Sequence, residues 1–209
     1  MGIPVEVPGL DTIVPVIPDG HIVVIESGAD GVKSFLSRRL AKTALRAGRS
    51  VTFIASRDGP ELSQSLLIGN DLPPTRGDGL RVEERDSLVG WQDVDSLRGV
   101  LVVDSFSFLA LNLPPSQLSE LLRRLRRLGH AQGLTVILAT DRGMADERSE
   151  SILGHLSDGW IQFLSKEGPE GLIRYLRVPK WSDGTLVDRN IYYEYDGKRL
   201  AIDLRRRVL

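Results

Sequence analysis

Short runs of aliphatic and β-branched residues recur along the first two thirds of the chain and predict buried β-strands. The clearest runs are HIVVI, VTFIA, GVLVVD and LTVILAT, at residues 21–25, 51–55, 99–104 and 134–140. Residues 35–47 and 117–128 have the spacing of amphipathic helices. The leucines of the second helix fall on one face: Leu118, Leu121, Leu122, Leu125 and Leu128. Apolar strands separated by helices predict a parallel sheet with right-handed crossovers, and therefore an α/β fold.

The final third of the chain has a different pattern. Residues 159–164, 171–179, 189–196 and 199–204 have the pattern of short strands joined by tight turns such as DGK. They predict an antiparallel extension on one edge of the sheet. The pattern is least informative between residues 60 and 95, where PELSQSLLIG is helical in character and LPPTRGDG is typical of a loop.

Composition and charge exclude several functional classes. The chain has 209 residues, 41% hydrophobic and 26% charged, which is typical of a single globular domain. It has no cysteine, so disulfides, cysteine-based zinc sites and a thiol nucleophile are excluded, and its three histidines lack metal-ligand spacing. The formal net charge of -1 gives no global attraction to nucleic acids or membranes. With no signal peptide or membrane-length apolar run in the sequence, we expect a cytoplasmic protein.

A strand, a loop of small residues and a helix follow one another in HIVVIESGADGVKSFLSRRLAKTAL. In a phosphate-binding loop, glycines admit backbone N–H groups to the phosphates, a lysine neutralises the outer phosphates, and a Ser or Thr hydroxyl reaches magnesium. Lys33 and Ser34 fall where the pattern G-x-x-x-x-G-K-[ST] requires them. The candidate nucleotide-binding residues are Ser27, Gly28, Ala29, Asp30, Gly31, Val32, Lys33 and Ser34.

Two positions of this segment depart from the pattern. Ser27 replaces the first glycine and Val32 replaces the second. Val32 matters more, because a β-branched residue is stiff and avoids the conformations that glycine permits. The alternative interpretation is therefore a polar strand-to-helix turn with an incidental lysine.

A carboxylate follows the third apolar strand. Asp104 ends GVLVVD, where it could hold magnesium through water beside Ser34, although an isolated aspartate at a strand end is also a simple cap. The order of these parts is the sequential plan of one nucleotide-binding sheet: the pair Lys33-Ser34, a second strand, Asp104 and a fourth strand ending in Thr140. The candidate cofactors are therefore a nucleotide and Mg²⁺, and the candidate metal ligands are Ser34 and Asp104.

The order of these motifs resembles the RecA superfamily, and within it the KaiC-like and RadA-paralogue branch. VPGLDTIVPVIPDGHIVVIESGADGVKS is similar to the opening of that family, and VLVVDSFSFL to its second motif. The later segments of the family are similar to QLSELLRRLRRLGHAQGLTVILAT, LGHLSDGWIQF, LIRYLRVPKWSDG and YYEYDGKRLAID. The resemblance implies a RecA-like three-layer core over residues 1–209, mainly parallel with an antiparallel C-terminal extension and without an N-terminal DNA-binding lobe.

The residues at several catalytic positions differ from those of the family. Its ATPases end the strand after the phosphate-loop helix in a glutamate that activates water, and Arg57 matches that glutamate here, with Asp58 a weak substitute or a simple turn cap. KaiC-like hexamers reach the neighbour's terminal phosphate with a Lys-x-Arg pair. Lys180 matches the lysine and Ser182 stands at the arginine, while Arg189 could compensate or form a surface salt bridge. These departures imply slow or absent hydrolysis.

Two groups of arginines are candidate contacts with DNA phosphates, which arginine binds bidentately. They are Arg123, Arg124, Arg126 and Arg127 on the leucine-rich helix and Arg205, Arg206 and Arg207 near the C-terminus. The alternative is a solvated helix face and a charged tail. Residues 142–151, which match a DNA-contacting loop of recombinases, are mixed in charge and have no aromatic ring for stacking on bases.

Three functional hypotheses remain open. In the leading one, the chain binds ATP or ADP weakly, hydrolyses it little or not at all, and has an accessory or regulatory role in DNA recombination or repair. It would act as a homo-oligomer or a hetero-oligomer with a RecA-family relative. The alternatives are an active DNA-stimulated or hexameric ATPase and a nucleotide-independent interaction scaffold.

Overall fold

A large mixed β-sheet organises the chain in a computed structural model that describes residues 2–56, 67, 79–168, 171–184 and 187–207. Outside the large sheet, β1 (Gly2–Pro4) pairs with β2 (Val16–Pro18). The first strands of the large sheet are β3 (Ile22–Ser27), β4 (Val51–Ala55), β5 (Leu80–Glu84), β6 (Val100–Val103) and β7 (Thr135–Asp141). The later strands are β8 (Gly159–Gly168), β9 (Gly171–Lys180), β10 (Val187–Tyr195) and β11 (Leu200–Arg207).

The helices connect these strands. They are α1 (Leu10–Ile13), α2 (Val32–Arg46), α3 (Phe106–Leu109), α4 (Pro115–Gln132) and α5 (Glu147–Leu156), with a 3₁₀ turn at Asp93–Ser96. Within the described residues, no helix is both long and apolar enough to cross a bilayer. The expected helix at 60–69 and loop at 72–79 lie outside the described residues except for positions 67 and 79.

The strand order in the large sheet is β11-β10-β9-β8-β3-β7-β6-β4-β5. The pairs from β8 through β3 to β5 are all parallel, and β8, β9, β10 and β11 are joined by antiparallel pairs. The expected α/β fold, with a parallel core and an antiparallel C-terminal extension, is therefore confirmed. The pattern missed β5, which has polar residues at alternate positions because it lies at the edge of the sheet.

The sheet is the middle of three layers. Val23 and Ile25 of β3 pack towards α2, whereas Ile22 and Val24 pack towards α4, because successive side chains of a strand point to opposite faces. The leucines predicted to share a face of α4 are buried at Leu118, Leu121, Leu122 and Leu125, and Leu128 is partly buried. That helix prediction is confirmed.

The arrangement brings together the ends of three strands. β7 lies between β3 and β6, and all three run in parallel, so their carboxyl ends meet at one edge of the sheet. Ser27 ends β3, Asp141 ends β7 and Asp104 follows β6. Ligands of open α/β sheets bind in the crevice outside the carboxyl ends of the strands, which makes this edge the candidate ligand site.

Candidate functional site

The loop between β3 and α2 has its left-handed residue one position earlier than the motif predicts. Gly31 precedes the helix with φ 80°, and Val32 is already the first residue of α2. The Val32 side chain is completely buried in the core beneath the helix. Because Gly31 provides the left-handed conformation, a β-branched residue is tolerated at position 32.

The lysine of the loop is buried and ion-paired. Nζ of Lys33 lies 2.7 Å from Oδ1 of Asp141, and only 2% of the lysine side chain is exposed. The backbone N–H of Asp141 donates a hydrogen bond to Oγ of Ser107 at 2.6 Å, which fixes the end of β7. The second carboxylate oxygen, Oδ2 of Asp141, is buried without a hydrogen-bond partner among the described residues. Lys33 is thus neutralised by the chain's own carboxylate.

Asp141 was missed in the sequence analysis. It follows the apolar run VILAT in the same way that Asp104 follows GVLVV, so the signal was a carboxylate at the end of a buried strand. What the sequence did not reveal is that β7 lies directly beside β3, in a register that pairs Asp141 with Ser27 at the start of the loop.

Ser34 and Asp104 meet as the sequence analysis expected. Oγ of Ser34 donates to Oδ1 of Asp104 at 2.8 Å, and the guanidinium of Arg38 lies 3.5 Å from Oδ2. The hydroxyl of Ser56, after β4, donates to the backbone carbonyl of Asp104 at 3.3 Å. The hydroxyl and carboxylate oxygens are the hard ligands that Mg²⁺ prefers, so this donor set fits the ion. Within the described part of the chain, no group of three or more acidic or histidine side chains is arranged for a metal.

Asp30 is the carboxylate that belongs to the loop itself. Its Oδ1 accepts a hydrogen bond from the backbone N–H of Val32 at 3.3 Å, and its Oδ2 accepts one from the hydroxyl of Tyr193 at 3.0 Å. Tyr193 belongs to β10 and is almost fully buried. Burial, followed by the Asp30 carboxylate, raises the pKa of this tyrosine well above its ordinary value, so it remains a neutral donor.

The C-terminal extension therefore packs against the loop. The rings of Tyr195 and Phe35 lie 5.4 Å apart, and burial together with the Asp30 carboxylate raises the pKa of Tyr195. A groove of about 660 Å³ opens beside them between the extension and the start of the chain. Its lining combines tyrosine rings with basic side chains, including Tyr192, Tyr195, Arg39, Arg174 and Arg199.

A further buried carboxylate lies on the opposite face of the sheet. Oε2 of Glu26 accepts hydrogen bonds from Nε1 of Trp160 at 2.9 Å and Nε2 of Gln162 at 3.1 Å, and its Oε1 lies 3.9 Å from Nε of Arg142. Both hydrogen bonds to this carboxylate thus come from neutral donors. It ties β3 to β8 just before the loop begins.

Of the candidate catalytic residues that the structure describes, Lys180 ends β9 and Arg189 lies in β10. Arg57 and Asp58 lie outside the described residues. The ammonium of Lys180 donates to the carbonyls of Gly154, His155 and Ser157 at the C-terminal end of α5, at 2.8, 3.3 and 2.5 Å. Burial lowers the pKa of this lysine. Arg189 and Ser182 are exposed. A role of Lys180 or Arg189 towards a neighbouring subunit stays a prediction.

The arginines of α4 separate into two kinds. Arg124 forms an ion pair with Asp95 at 2.7 Å, and Arg126 lies 3.5 Å from Asp158 and donates to the carbonyl of Leu156. Arg123 and Arg127 are exposed, and neither forms an ion pair with any side chain that the structure describes. Arg205 is exposed on β11, while the side chains of Arg206 and Arg207 lie outside the described residues. Of the seven candidates, Arg123, Arg127 and Arg205 are thus exposed.

The parallel core, the loop that leads into α2 and the antiparallel extension define a RecA-like α/β fold. Two solved structures share it over almost the whole chain. The flagellar accessory protein FlaH from Methanocaldococcus jannaschii is 17% identical with a TM-score of 0.72, covering 97% of this chain and 98% of that one. A KaiC-like protein from Pyrococcus horikoshii is 17% identical with a TM-score of 0.73, covering 97% and 99%. No family model and no curated protein matches the sequence.

These similarities confirm the expected fold. They do not test the predicted site residues, because an identity of 17% relates this chain to each neighbour in fold alone. The roles of Lys33, Ser34 and Asp104 therefore depend on their own geometry.

Proposed function

We propose that the chain binds ATP or ADP with Mg²⁺ weakly at the loop of residues 27–34, with little or no hydrolysis. The observation that carries the proposal is the 2.8 Å hydrogen bond between Ser34 and Asp104, beside the buried Lys33. A lysine, a hydroxyl and a strand-end carboxylate at the start of one buried helix are the parts that a phosphate-magnesium site needs. A turn with an incidental lysine needs no carboxylate opposite its serine.

Magnesium would be held by Ser34 and by Asp104, directly or through water. When bound, the ion would neutralise charge on the phosphate oxygens. Arg38 lies on the other oxygen of Asp104, so it offsets the charge of that carboxylate when no ion is present. The start of α2 adds backbone N–H groups and the positive end of the helix dipole.

The groove beside Tyr195 supports a place for the rest of the nucleotide. A Cβ atom on Gly31 would lie 3.9 Å from the hydroxyl of Tyr195, so the groove begins next to the loop. Aromatic rings offer stacking surfaces for a base, and arginines offer donors to ribose or phosphate oxygens.

The expectation of little hydrolysis rests on the sequence. Arg57 stands where the resemblance places the water-activating glutamate, and a missing general base lowers the rate by about 10²- to 10⁴-fold. Lys180, the second candidate for catalysis, donates to the end of α5 within its own chain. We therefore propose an accessory or regulatory protein of DNA recombination or repair in the cytoplasm, which acts by association with its own copies or with a RecA-family relative.

Calorimetric titration of ATP and ADP with Mg²⁺ into wild type, Lys33→Ala and Lys42→Ala tests the nucleotide half of the proposal. Lys42 is the matched control because it lies on the same helix, away from the loop. We expect weak binding that disappears in Lys33→Ala and persists in Lys42→Ala. Absence of binding in wild type at millimolar nucleotide would overturn the proposal in favour of the interaction scaffold.

The scaffold remains the second candidate because of one observation. The 2.7 Å ion pair between Lys33 and Asp141 satisfies the lysine without any ligand. A scaffold would hold a stable partner equally well in the presence of ATP, EDTA or the Lys33→Ala substitution.

A further inference from the structure

Two carboxylates of the chain already bind the groups of the loop that would contact a phosphate. Asp141 holds the ammonium of Lys33 at 2.7 Å, and Asp30 accepts the backbone N–H of Val32 at 3.3 Å. The two acids reach the loop from different places, since Asp141 ends the neighbouring strand β7 while Asp30 belongs to the loop itself. Both are anions, as phosphate is.

We infer that Asp141 and Asp30 are internal competitors of phosphate, and that their displacement sets the nucleotide affinity of the site. The inference rests on the proposed function, because it concerns the same loop and the same lysine. It adds two affinity-determining residues for which the phosphate-loop motif gives no role.

The environment of Asp141 explains why its displacement opposes binding. Lys33 has almost no exposed surface, so its ammonium cannot exchange Asp141 for water, and a buried charge needs a partner. When a phosphate takes Lys33, the Asp141 carboxylate is left in a poorly solvated place beside a second anion. Its Oδ2 already lacks a hydrogen-bond partner among the described residues, so it has no second contact to fall back on.

Asp30 is held in its competing position by the C-terminal extension. The hydroxyl of Tyr193 donates to Oδ2 of Asp30 at 3.0 Å, and the tyrosine itself is 1% exposed. A phosphate that accepts the Val32 N–H must move Asp30 from that N–H while Tyr193 keeps hold of its other oxygen. The extension therefore takes part in setting affinity, although it contributes nothing to the phosphate-loop motif.

The test measures the binding of Mg²⁺-ADP and of inorganic pyrophosphate, which isolates the phosphate contacts, to wild type and variants. We expect Asp141→Asn to bind both ligands about tenfold more tightly, because the binding-competent state of Lys33 is no longer a minor one. Asp30→Ala should tighten binding about threefold by freeing the Val32 N–H. The matched control is Glu6→Gln, which removes a carboxylate paired with Arg46 at the far end of α2 and should leave the affinity unchanged.

The Lys33→Ala background separates competition for the lysine from general electrostatics. There, neither ligand should bind with or without Asp141→Asn, because no ammonium remains to be released. Binding gained from Asp141→Asn in that background would show general electrostatics and overturn competition for the lysine. Circular dichroism checks that each variant is folded. If Asp141→Asn does not fold, Asp30→Ala and its Glu6→Gln control decide the outcome.

The outcomes distinguish this inference from the proposed function. Lys33-dependent binding in wild type that is unchanged or weaker in folded Asp141→Asn and Asp30→Ala overturns the inference and leaves the proposed function standing. Binding that is detectable at millimolar ligand only after Asp141→Asn supports the inference, whereas the absence of wild-type binding overturns the proposed function. Absence of binding in every variant overturns both.

Discussion

The hydroxyl of Ser34 lies 2.8 Å from Oδ1 of Asp104, a residue 70 positions further along the chain. The contact joins the first turn of α2 to the end of β6. Helix α2 follows β3, and β7 lies between β3 and β6, so the ends of these strands meet at one edge of the sheet. This contact suits a magnesium ion, because it places a hydroxyl and a carboxylate close enough together to bind the same ion.

Replacement of Asp104 should remove the magnesium dependence of nucleotide binding. We expect Asp104→Asn to reduce the gain in ADP affinity from Mg²⁺ by about tenfold, with little change in EDTA, because the amide is a poorer ligand for a hard cation. Calorimetry with and without Mg²⁺ measures this gain. Asp95→Asn, an exposed carboxylate paired with Arg124, is the control. Equal magnesium dependence in Asp104→Asn and wild type would contradict the assignment.

The left-handed conformation of Gly31 predicts a loss of stability on substitution. Gly31→Ala should lower the free energy of unfolding by about 1–2 kcal/mol, because φ 80° is unfavourable for a residue with a Cβ atom. The strain is one of backbone alone, since only the Tyr195 hydroxyl lies within 4 Å of the added atom, at 3.9 Å. Urea denaturation measures the change.

Gly28 provides the matched control in the same loop. A Cβ atom there meets nothing within 4 Å, and its φ is outside the left-handed region. Gly28→Ala should therefore leave the stability unchanged or raise it slightly. A similar loss in both variants would indicate a loop conformation different from the one described.

The position of Lys180 predicts a stabilising role within its own chain. Lys180→Met should lower the free energy of unfolding by about 1 kcal/mol, because a cation at the carbonyl end of a helix is favourable. Lys198→Met, at an exposed turn, should have no such effect. The measurement is urea denaturation of dilute protein without nucleotide. An unchanged stability would favour a role towards a neighbouring subunit instead.

The N-cap of α5 predicts that the folding stability depends on pH in the acid range. Hydrogen bonds from the backbone and then the side chain of Ser149 lower the pKa of Asp146 below the ordinary value of an aspartate. A folded-state pKa below the unfolded one gives stability that is present above the unfolded value and lost as pH falls through the folded value. Asp146→Asn should therefore lose less stability than wild type between about pH 6 and pH 3. Parallel losses in the two proteins would refute this.

The exposed Arg123 and Arg127 of α4 predict which substitutions would affect DNA binding. If DNA binds this helix, Arg123→Ala with Arg127→Ala should weaken binding and reduce the slope of log affinity against log salt by about two. Arg81→Ala, at the far edge of the sheet, is the control. Fluorescence anisotropy with labelled DNA at several salt concentrations measures both quantities. An unchanged slope in the double variant would exclude α4 as the DNA surface.

Local patterns in the sequence predicted most of the elements. The apolar runs gave β3, β4, β6 and β7 to within about two residues at each end, and the leucine spacing gave the buried face of α4. α2 begins at Val32, earlier than the predicted residue 35, because Gly31 places the left-handed turn directly before it. α5 and β5 were not predicted, since both are short and rich in polar residues.

The candidate site was predicted only in part. Lys33, Ser34 and Asp104 carry a recognisable spacing and strand-end position, and the structure brings them together. The partners of the loop carry no such signal. Asp141 lies more than 100 residues beyond Lys33, and Tyr193 lies 163 residues beyond Asp30.

The sequence by itself determined the alternation of strands and helices, the antiparallel end and the phosphate-like loop, because each depends on residues close together in the chain. The tertiary structure decided which carboxylate faces Lys33 and which hydroxyl holds Asp30. These contacts depend on β7 lying beside β3 and on the C-terminal extension curling back to the loop. Strand neighbours and registers are fixed by packing between distant segments, which spacing along the chain does not encode.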